Sequence, residues 1–428
     1  MSNYHIKASQ LSGSIAIPAS KSQSIRAILF ATMAKGVSTV ENYLNSPDIK
    51  AMVSACRQLG AEIEQQDNKL LITGVDGNPN TPDDVIDSGN SGQVLRFVAC
   101  LAGLQDHYVV LTGDASIRHN RPVQPLLEAL PKLGVQCESL RGDGYAPLII
   151  KGPFQGSETT LSGEDSQPVS GLLMALAFKQ GVSTITVRNP GEKPWVNLTL
   201  KWFDRFGISY KNDNFANYQV TGKARISAFN YRVPGDLSSL AYPLLAALVT
   251  HSEITITDVD MNEPQGDKAI VEVFRKMGAK ISMNEQERTL TVHKIDFLQG
   301  IEVDVNNFID CVTIIAVAGC FAQGTTKITG AEIARTKESD RISAITRELK
   351  KMGANIEELP DGLIVQQSQL HAANVDSYHD HRIVMSLAVA ALTIKEETII
   401  HDVRCVQKSF PNFDGIFQSL GGNIVSEA

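Results

Sequence analysis

Two kinds of helical pattern alternate along this chain. The first is apolar on most faces, and its six copies read SIRAILFATMA, QVLRFVACLAG, VSGLLMALAF, LAYPLLAALV, VTIIAVAGCFA and RIVMSLAVAAL. Segments this rich in Ala and Leu, with no wide polar face, predict buried helices. The second pattern is amphipathic, ends in glycine and runs into a strand: RQLGAEI, PKLGVQC, DRFGISY, FRKMGAK, LKKMGAN and FQSLGGN. Its glycines, Gly60, Gly134, Gly207, Gly278, Gly353 and Gly421, lie 74, 73, 71, 75 and 68 residues apart. Each is placed to close its helix in a left-handed C-cap. The spacing predicts six copies of one unit. Each unit has a strand, a polar turn, an apolar helix, a second strand, the Gly-ended helix and a closing strand pair. Strands such as GVSTITV, SEITITDV, GTTKITG and ETIIHDV follow the apolar helices with β-branched alternation.

KLLITG, PLIIKG, NYQVTG, LTVHK and GLIVQQ close five of the units, whereas the sixth stops at GGNIVSEA. YHIKAS stands ahead of the first unit with the missing pattern, which predicts that the N-terminal strand completes the last repeat. Three repeats then make each half, with the chain crossing near Pro18 and again near Val233–Gly235. The expectation is an α/β protein of two domains, residues 19–233 and residues 1–18 plus 234–428, hinged about a central cleft.

A chain of 428 residues is too long for one core. A hydrophobic share of 43%, 20% charged residues and a net charge of −8 describe a globular protein with no basic face for nucleic acid. No apolar run reaches the roughly 20 residues a bilayer span needs, and MSNYHIKAS has no signal-peptide core. The six cysteines are scattered without a CxxC, and read as reduced core residues of a cytoplasmic protein. Metal ligation is not expected, because His379 and His381 have no Cys nearby. There is no GxxxxGK[ST] phosphate loop.

A polar cluster precedes every apolar helix: PASKSQS, DSGNSGQ, GEDSQP, VPGDLSS, NNFID and YHDHR. Capping of free backbone N–H groups explains most of each, including Asp236, Ser238 and Ser239. It does not explain cations. Lys21, Arg26, Arg96 and Arg382 are expected in first helical turns, where positive charge opposes the macrodipole unless an anion is shared. Arg121, Lys337, Arg341 and Lys408 are expected in loops. A solvated charged face would account for TKESDR, but not for Lys408 close to Val406 and Phe410. Cations at helix starts and loops of both halves predict a cleft for a polyanionic substrate. Interleaved with them are Asp310, Glu338 beside Lys337, and Asp340 beside Arg341. Proton transfer wants such a carboxylate close to a cation-bound substrate but not neutralised. His381, between Asp380 and Arg382, is a candidate proton shuttle or orienting group.

PASKSQSIR, GNSGQVLR, Arg121–Pro122, Ser166–Gln167, TKESDRI, DHRIVMSLAVA and QKSFPNF occur in this order along the whole chain. Together they closely resemble the enolpyruvyl transferases, in the branch whose acceptor is shikimate 3-phosphate. The sister branch acting on UDP-N-acetylglucosamine uses a loop cysteine, and the loop around Arg121 has none. The resemblance implies a two-domain inside-out α/β barrel, three βαβαββ repeats per domain, closing on substrate. It also implies a cytoplasmic monomer of the shikimate pathway to aromatic amino acids, needing no metal or organic cofactor. Phosphoenolpyruvate would lie among Lys21, Gly92, Arg121, Gln167, Arg341, Arg382 and Lys408. The acceptor would meet Lys21, Ser22, Arg26, Ser166, Gln167, Asp310 and Lys337, with Ser22 and Arg26 on its carboxylate. By the same resemblance Lys21, Asp310 and Glu338 would be catalytic, and His381 is added to them as the candidate shuttle. The herbicide glyphosate binds the phosphoenolpyruvate pocket in this family; here Gln93 replaces the usual Thr beside Gly92, which leaves sensitivity open.

Two positions depart from the family pattern. Asp165 stands where a serine is usual before Ser166–Gln167, and Glu192 replaces a serine two residues before Pro-Tyr, which is Pro194–Trp195 here. Those serines hold the acceptor's phosphate, and a like-charge contact near 4 Å costs about 4 kcal/mol at an effective dielectric of 20. One expectation is that both carboxylates pair with Lys193 or another cation and turn away, leaving Ser166, Gln167 and Lys193 for phosphate. A second is an acceptor without that phosphate. A third is a shift of register in these loops. A non-catalytic anion-binding protein of the same fold is a further alternative.

Overall fold

The computed structural model describes residues 2–427. It divides into two compact units, Met1–Pro18 with Pro234–Ala428, and Ala19–Val233. Each has a hydrophobic core of its own. Six four-stranded sheets, three per unit, share one order. A leading strand runs parallel to a second strand, the second pairs antiparallel with a closing strand, and the closing strand pairs with the strand after the Gly-ended helix. In one sheet these are Asn230–Arg232, Val37–Glu41, Lys69–Thr73 and Glu62–Gln66. All six repeat glycines have left-handed φ, from 65° to 100°.

The N-terminal strand Asn3–Lys7 does complete the last repeat. It lies antiparallel between Thr398–His401 and Asn423–Glu427, with Asn3 opposite Glu427. One detail differs from the sequence pattern. The leading strand of the first repeat, Ser12–Ala16, pairs with Glu253–Thr257 of the fourth, while Asn230–Arg232, which precedes the fourth apolar helix, pairs with Val37–Glu41 of the first. The chain therefore changes unit between strand and helix, next to Pro18 and Pro234. Proline cannot donate to the ladder and ends the strand there.

The apolar helices fill the cores. Every residue of Leu237–Val249 is buried, as is every residue of Lys21–Met33 after the first. Each buried Leu, Ile or Phe contributes about 1.5–3 kcal/mol. Backbones also approach closely: a Cβ at Gly171 would stand 2.9 Å from the Arg96 carbonyl oxygen of the neighbouring helix. Among the described residues no helix is long and apolar enough to cross a membrane.

Candidate active site

In the Ala19–Val233 unit the candidate residues gather at three helix starts. Ser20 caps the Lys21–Met33 helix, so Lys21 opens its first turn, with Nζ 3.6 Å from Asp48 Oδ2. Ser22 follows, and Arg26 lies in the second turn rather than the first. The Arg26 guanidinium is only 1% exposed. It donates to Thr199 Oγ1 at 2.9 Å and to the Ser22 and Trp195 carbonyls at 3.1 Å each, and stacks over Phe97. No carboxylate among the described residues forms an ion pair with it, and burial pulls its pKa down to about 9. A buried cation so placed suits an anionic ligand group.

Gly92 opens the second helix behind Ser91, its N-cap. A Cβ there would lie 2.6 Å from Arg121 Nη1, 2.7 Å from Arg96 Nη1 and 3.2 Å from Gln167 Oε1. Glycine is what lets two guanidinium groups and an amide converge on one backbone. Arg96, which also lies in a second turn, donates to Gln167 Oε1 and to the Pro122 carbonyl, both at 2.9 Å. Gln93 donates to Ser22 Oγ at 3.1 Å, tying the first two helix starts together.

The third start explains one departure and sharpens the other. Asp165 caps the Ser166–Phe178 helix by accepting from Gln167 N–H, and its other oxygen is 3.3 Å from Arg96 Nη2. Its charge is answered by a cation, as expected. Glu192 is not turned away: its Oε2 accepts from the backbone N–H and the hydroxyl of Ser166, at 2.9 and 3.0 Å. The expectation that Ser166 is left open therefore fails. Lys193, the foreseen partner, is exposed and has no ion pair among the described residues.

The other unit carries a buried charge network. Arg341 is the first residue of the Arg341–Lys351 helix, not a loop residue. Its Nε reaches Asp380 at 2.9 Å, Nη1 reaches Asp310 at 2.7 Å and Nη2 reaches Glu338 at 2.7 Å. Lys408 Nζ holds the second Glu338 oxygen at 2.8 Å, and Arg382 Nη2 holds the second Asp310 oxygen at 3.1 Å. Lys408 lies in a 3₁₀ helix, Val403–Lys408, rather than a loop, and Lys337 is buried at the end of another, Glu332–Thr336. Burial works against charge on Arg341, but Asp380, Glu338 and Asp310 outweigh it and hold the guanidinium above its ordinary pKa. Tyr242 and Asp310 do the same for Arg382 against its burial. The buried Asp267 carboxyl, bonded to Ser238, is pushed up to about 8 by burial and then by Asp310.

Two expectations change here. Glu338 was expected close to cations but not neutralised, and it is clasped by two. Asp340 was expected among the site carboxylates, but it caps its own helix and pairs with Arg335 at 2.8 Å. His381 is buried, with Nδ1 3.5 Å from Asp380 Oδ1. Asp380 accepts from Ser339, Arg341 and the Arg382 N–H, a central place where the sequence pattern showed only a helix cap. Among the described residues no three His, Cys, Asp or Glu side chains are grouped to hold a metal ion.

Comparison with known proteins bears on the whole chain. A family model described as EPSP synthase (3-phosphoshikimate 1-carboxyvinyltransferase) matches residues 6–417. A 3-phosphoshikimate 1-carboxyvinyltransferase of Acetivibrio thermocellus is 39% identical over 419 residues, covering 98% of each chain. That of Chlamydia felis is 40% identical over 424 residues, covering 98% of this chain and 94% of the relative. The solved structure of an EPSP synthase from Acinetobacter baumannii matches with a TM-score of 0.82 at 26% identity, over the whole of both chains. The enolpyruvyl transferase NikO of Streptomyces tendae, at 16% identity and a TM-score of 0.80 over 100% of this chain and 99% of its own, shares the fold. With that coverage and those helix-start clusters, the chain belongs to the EPSP synthase family of two-domain α/β transferases.

Proposed function

We propose that this chain transfers the enolpyruvyl group of phosphoenolpyruvate to the 5-hydroxyl of shikimate 3-phosphate and releases phosphate, the reaction for which its family is named. The clasp on Glu338 carries the reading. Arg341 and Lys408 hold its two oxygens at 2.7 and 2.8 Å, and these are cations assigned to phosphoenolpyruvate by the resemblance. An arriving phosphate or carboxylate competes for both and frees Glu338 to exchange a proton beside the bound anion. Asp310, held by Arg341 and Arg382, undergoes the same exchange.

In the addition, the acceptor oxygen bonds to C2 of phosphoenolpyruvate while C3 gains a proton. Asp310 takes the hydroxyl proton, and Glu338 in its protonated form gives a proton to C3. In the elimination C3 returns a proton to Glu338 and the bond from C2 to the phosphate oxygen breaks, leaving the enol ether and inorganic phosphate, which carries away the proton held by Asp310. Lys21, Arg121, Arg341, Arg382 and Lys408 stabilise the departing charge. Gly92 and Gln167 position phosphoenolpyruvate. Ser22, Arg26, Ser166, Gln167 and Lys337 position the acceptor, and the buried His381 orients Asp380. One unit supplies Lys21 to Gln167 and the other Asp310 to Lys408. The free cysteines support a reducing, cytoplasmic setting, and a monomer is the working state.

Phosphate release from phosphoenolpyruvate, run with shikimate 3-phosphate beside unphosphorylated shikimate, tests the reading. Turnover with the phosphorylated acceptor alone is expected. Turnover with shikimate alone would favour the second reading, an unphosphorylated acceptor, to which the Glu192–Ser166 contact lends weight. Release with neither would overturn both.

A further inference from the structure

Glu192 departs from its family's pattern, and its carboxylate occupies the donors that the first turn of the Ser166–Phe178 helix presents. Its Oε2 sits 2.9 Å from Ser166 N and 3.0 Å from Ser166 Oγ, and the residue is 2% exposed. A backbone N–H at a helix start together with a hydroxyl makes a seat for an anion. Here an anion of the chain itself fills it. The backbone is bent to achieve this: Glu192 has φ +44°, a left-handed conformation that a residue with a side chain adopts at a cost, immediately before the Lys193–Phe206 helix. Asp165 does not share the seat, being engaged by Gln167 N–H and Arg96. The same stretch reaches Arg26, which donates to the Trp195 carbonyl. Lys193, next in sequence, is an exposed cation without an ion pair among the described residues.

We propose that Glu192 is an internal occupant of the seat for the acceptor's phosphate, holding Ser166 in the free protein and yielding it when the phosphorylated acceptor binds. The proposal rests on the acceptor being shikimate 3-phosphate. Two anions cannot both take the Ser166 N–H and O–H, so the acceptor's phosphate binds in competition with a carboxylate tethered beside it. Lys193 is placed to meet the displaced charge. Glu192 thereby sets how strongly a phosphorylated acceptor is preferred over an unphosphorylated one.

The test compares wild type, Glu192→Ser and Glu192→Gln in the phosphate-release assay. Glu192→Ser is expected to lower the Michaelis constant for shikimate 3-phosphate about tenfold, since the competing charge-assisted bonds are gone. The constant for phosphoenolpyruvate is expected to stay within about twofold, the seat being for the other substrate. Glu192→Gln keeps the shape without the charge and falls between. A constant for shikimate 3-phosphate that is unchanged or higher in the serine variant overturns the proposal. If that variant does not fold, the glutamine variant decides by the same criterion. If wild type releases no phosphate with shikimate 3-phosphate, the functional reading has failed separately. Binding of inorganic phosphate, followed by ³¹P resonance, then decides: tighter binding to the serine variant upholds the internal occupant, and equal or weaker binding ends it.

Discussion

A guanidinium inside three carboxylates is held on every side. Arg341 bonds Asp380, Asp310 and Glu338 through its three nitrogens, so each carboxylate is fixed before any substrate arrives. Glu338→Gln keeps the size and an oxygen for one cation, but cannot carry a proton as a carboxylate does. Turnover is expected to fall about 10²- to 10⁴-fold in steady-state assays, with smaller changes in the Michaelis constants. Near-normal turnover would remove Glu338 from the proton path. At this scale the sequence revealed which residue types gather, because cations at helix starts are anomalous. It did not reveal who pairs with whom. Asp340 and Asp380 both cap helices, yet one faces Arg335 and the other Arg341, a difference set by side-chain direction. Arg96 was legible as a cation but not as the group that answers Asp165.

The repeat was legible from periodicity because buried helices and left-handed glycine caps leave strong patterns. The short 3₁₀ helices that carry Asp310 and Lys408 were not, since a turn or two leaves no period to read. The caps themselves differ in surroundings, which gives a graded expectation. At Gly207, with φ 65°, an added Cβ meets nothing within 4 Å, so Gly207→Ala costs only the left-handed backbone, about 1–2 kcal/mol. At Gly353, with φ 91°, the Cβ would stand 2.8 Å from the His371 ring, adding about 1–3 kcal/mol of crowding. Urea unfolding of the two variants should rank them in that order. Equal losses would mean that the His371 ring swings aside without cost.

For the whole molecule, the missing closing strand of the sixth repeat pointed to the N-terminus, because a sheet with an unfilled place needs a partner of matching alternation. The exchanged leading strands were not legible, since their pattern is the same whichever sheet receives them. Asn3–Lys7 buries Tyr4 and Ile6 in the core of its unit. Removing residues 2–8 is therefore expected to destabilise the unit holding Pro234–Ala428 by about 3–6 kcal/mol, while amides in Ala19–Val233 keep their protection from hydrogen exchange. Loss of protection across both units would show that they unfold as one.

The same strand has a consequence in time. Its partners lie about four hundred residues downstream, whereas every strand and core side chain of the Ala19–Val233 unit has been synthesised once Val233 is made. During synthesis the Ala19–Val233 unit can fold while Asn3–Lys7 waits. The unit holding Pro234–Ala428 gains its final sheet only when Asn423–Glu427 leaves the ribosome, long after the strands of the Ala19–Val233 unit have done so.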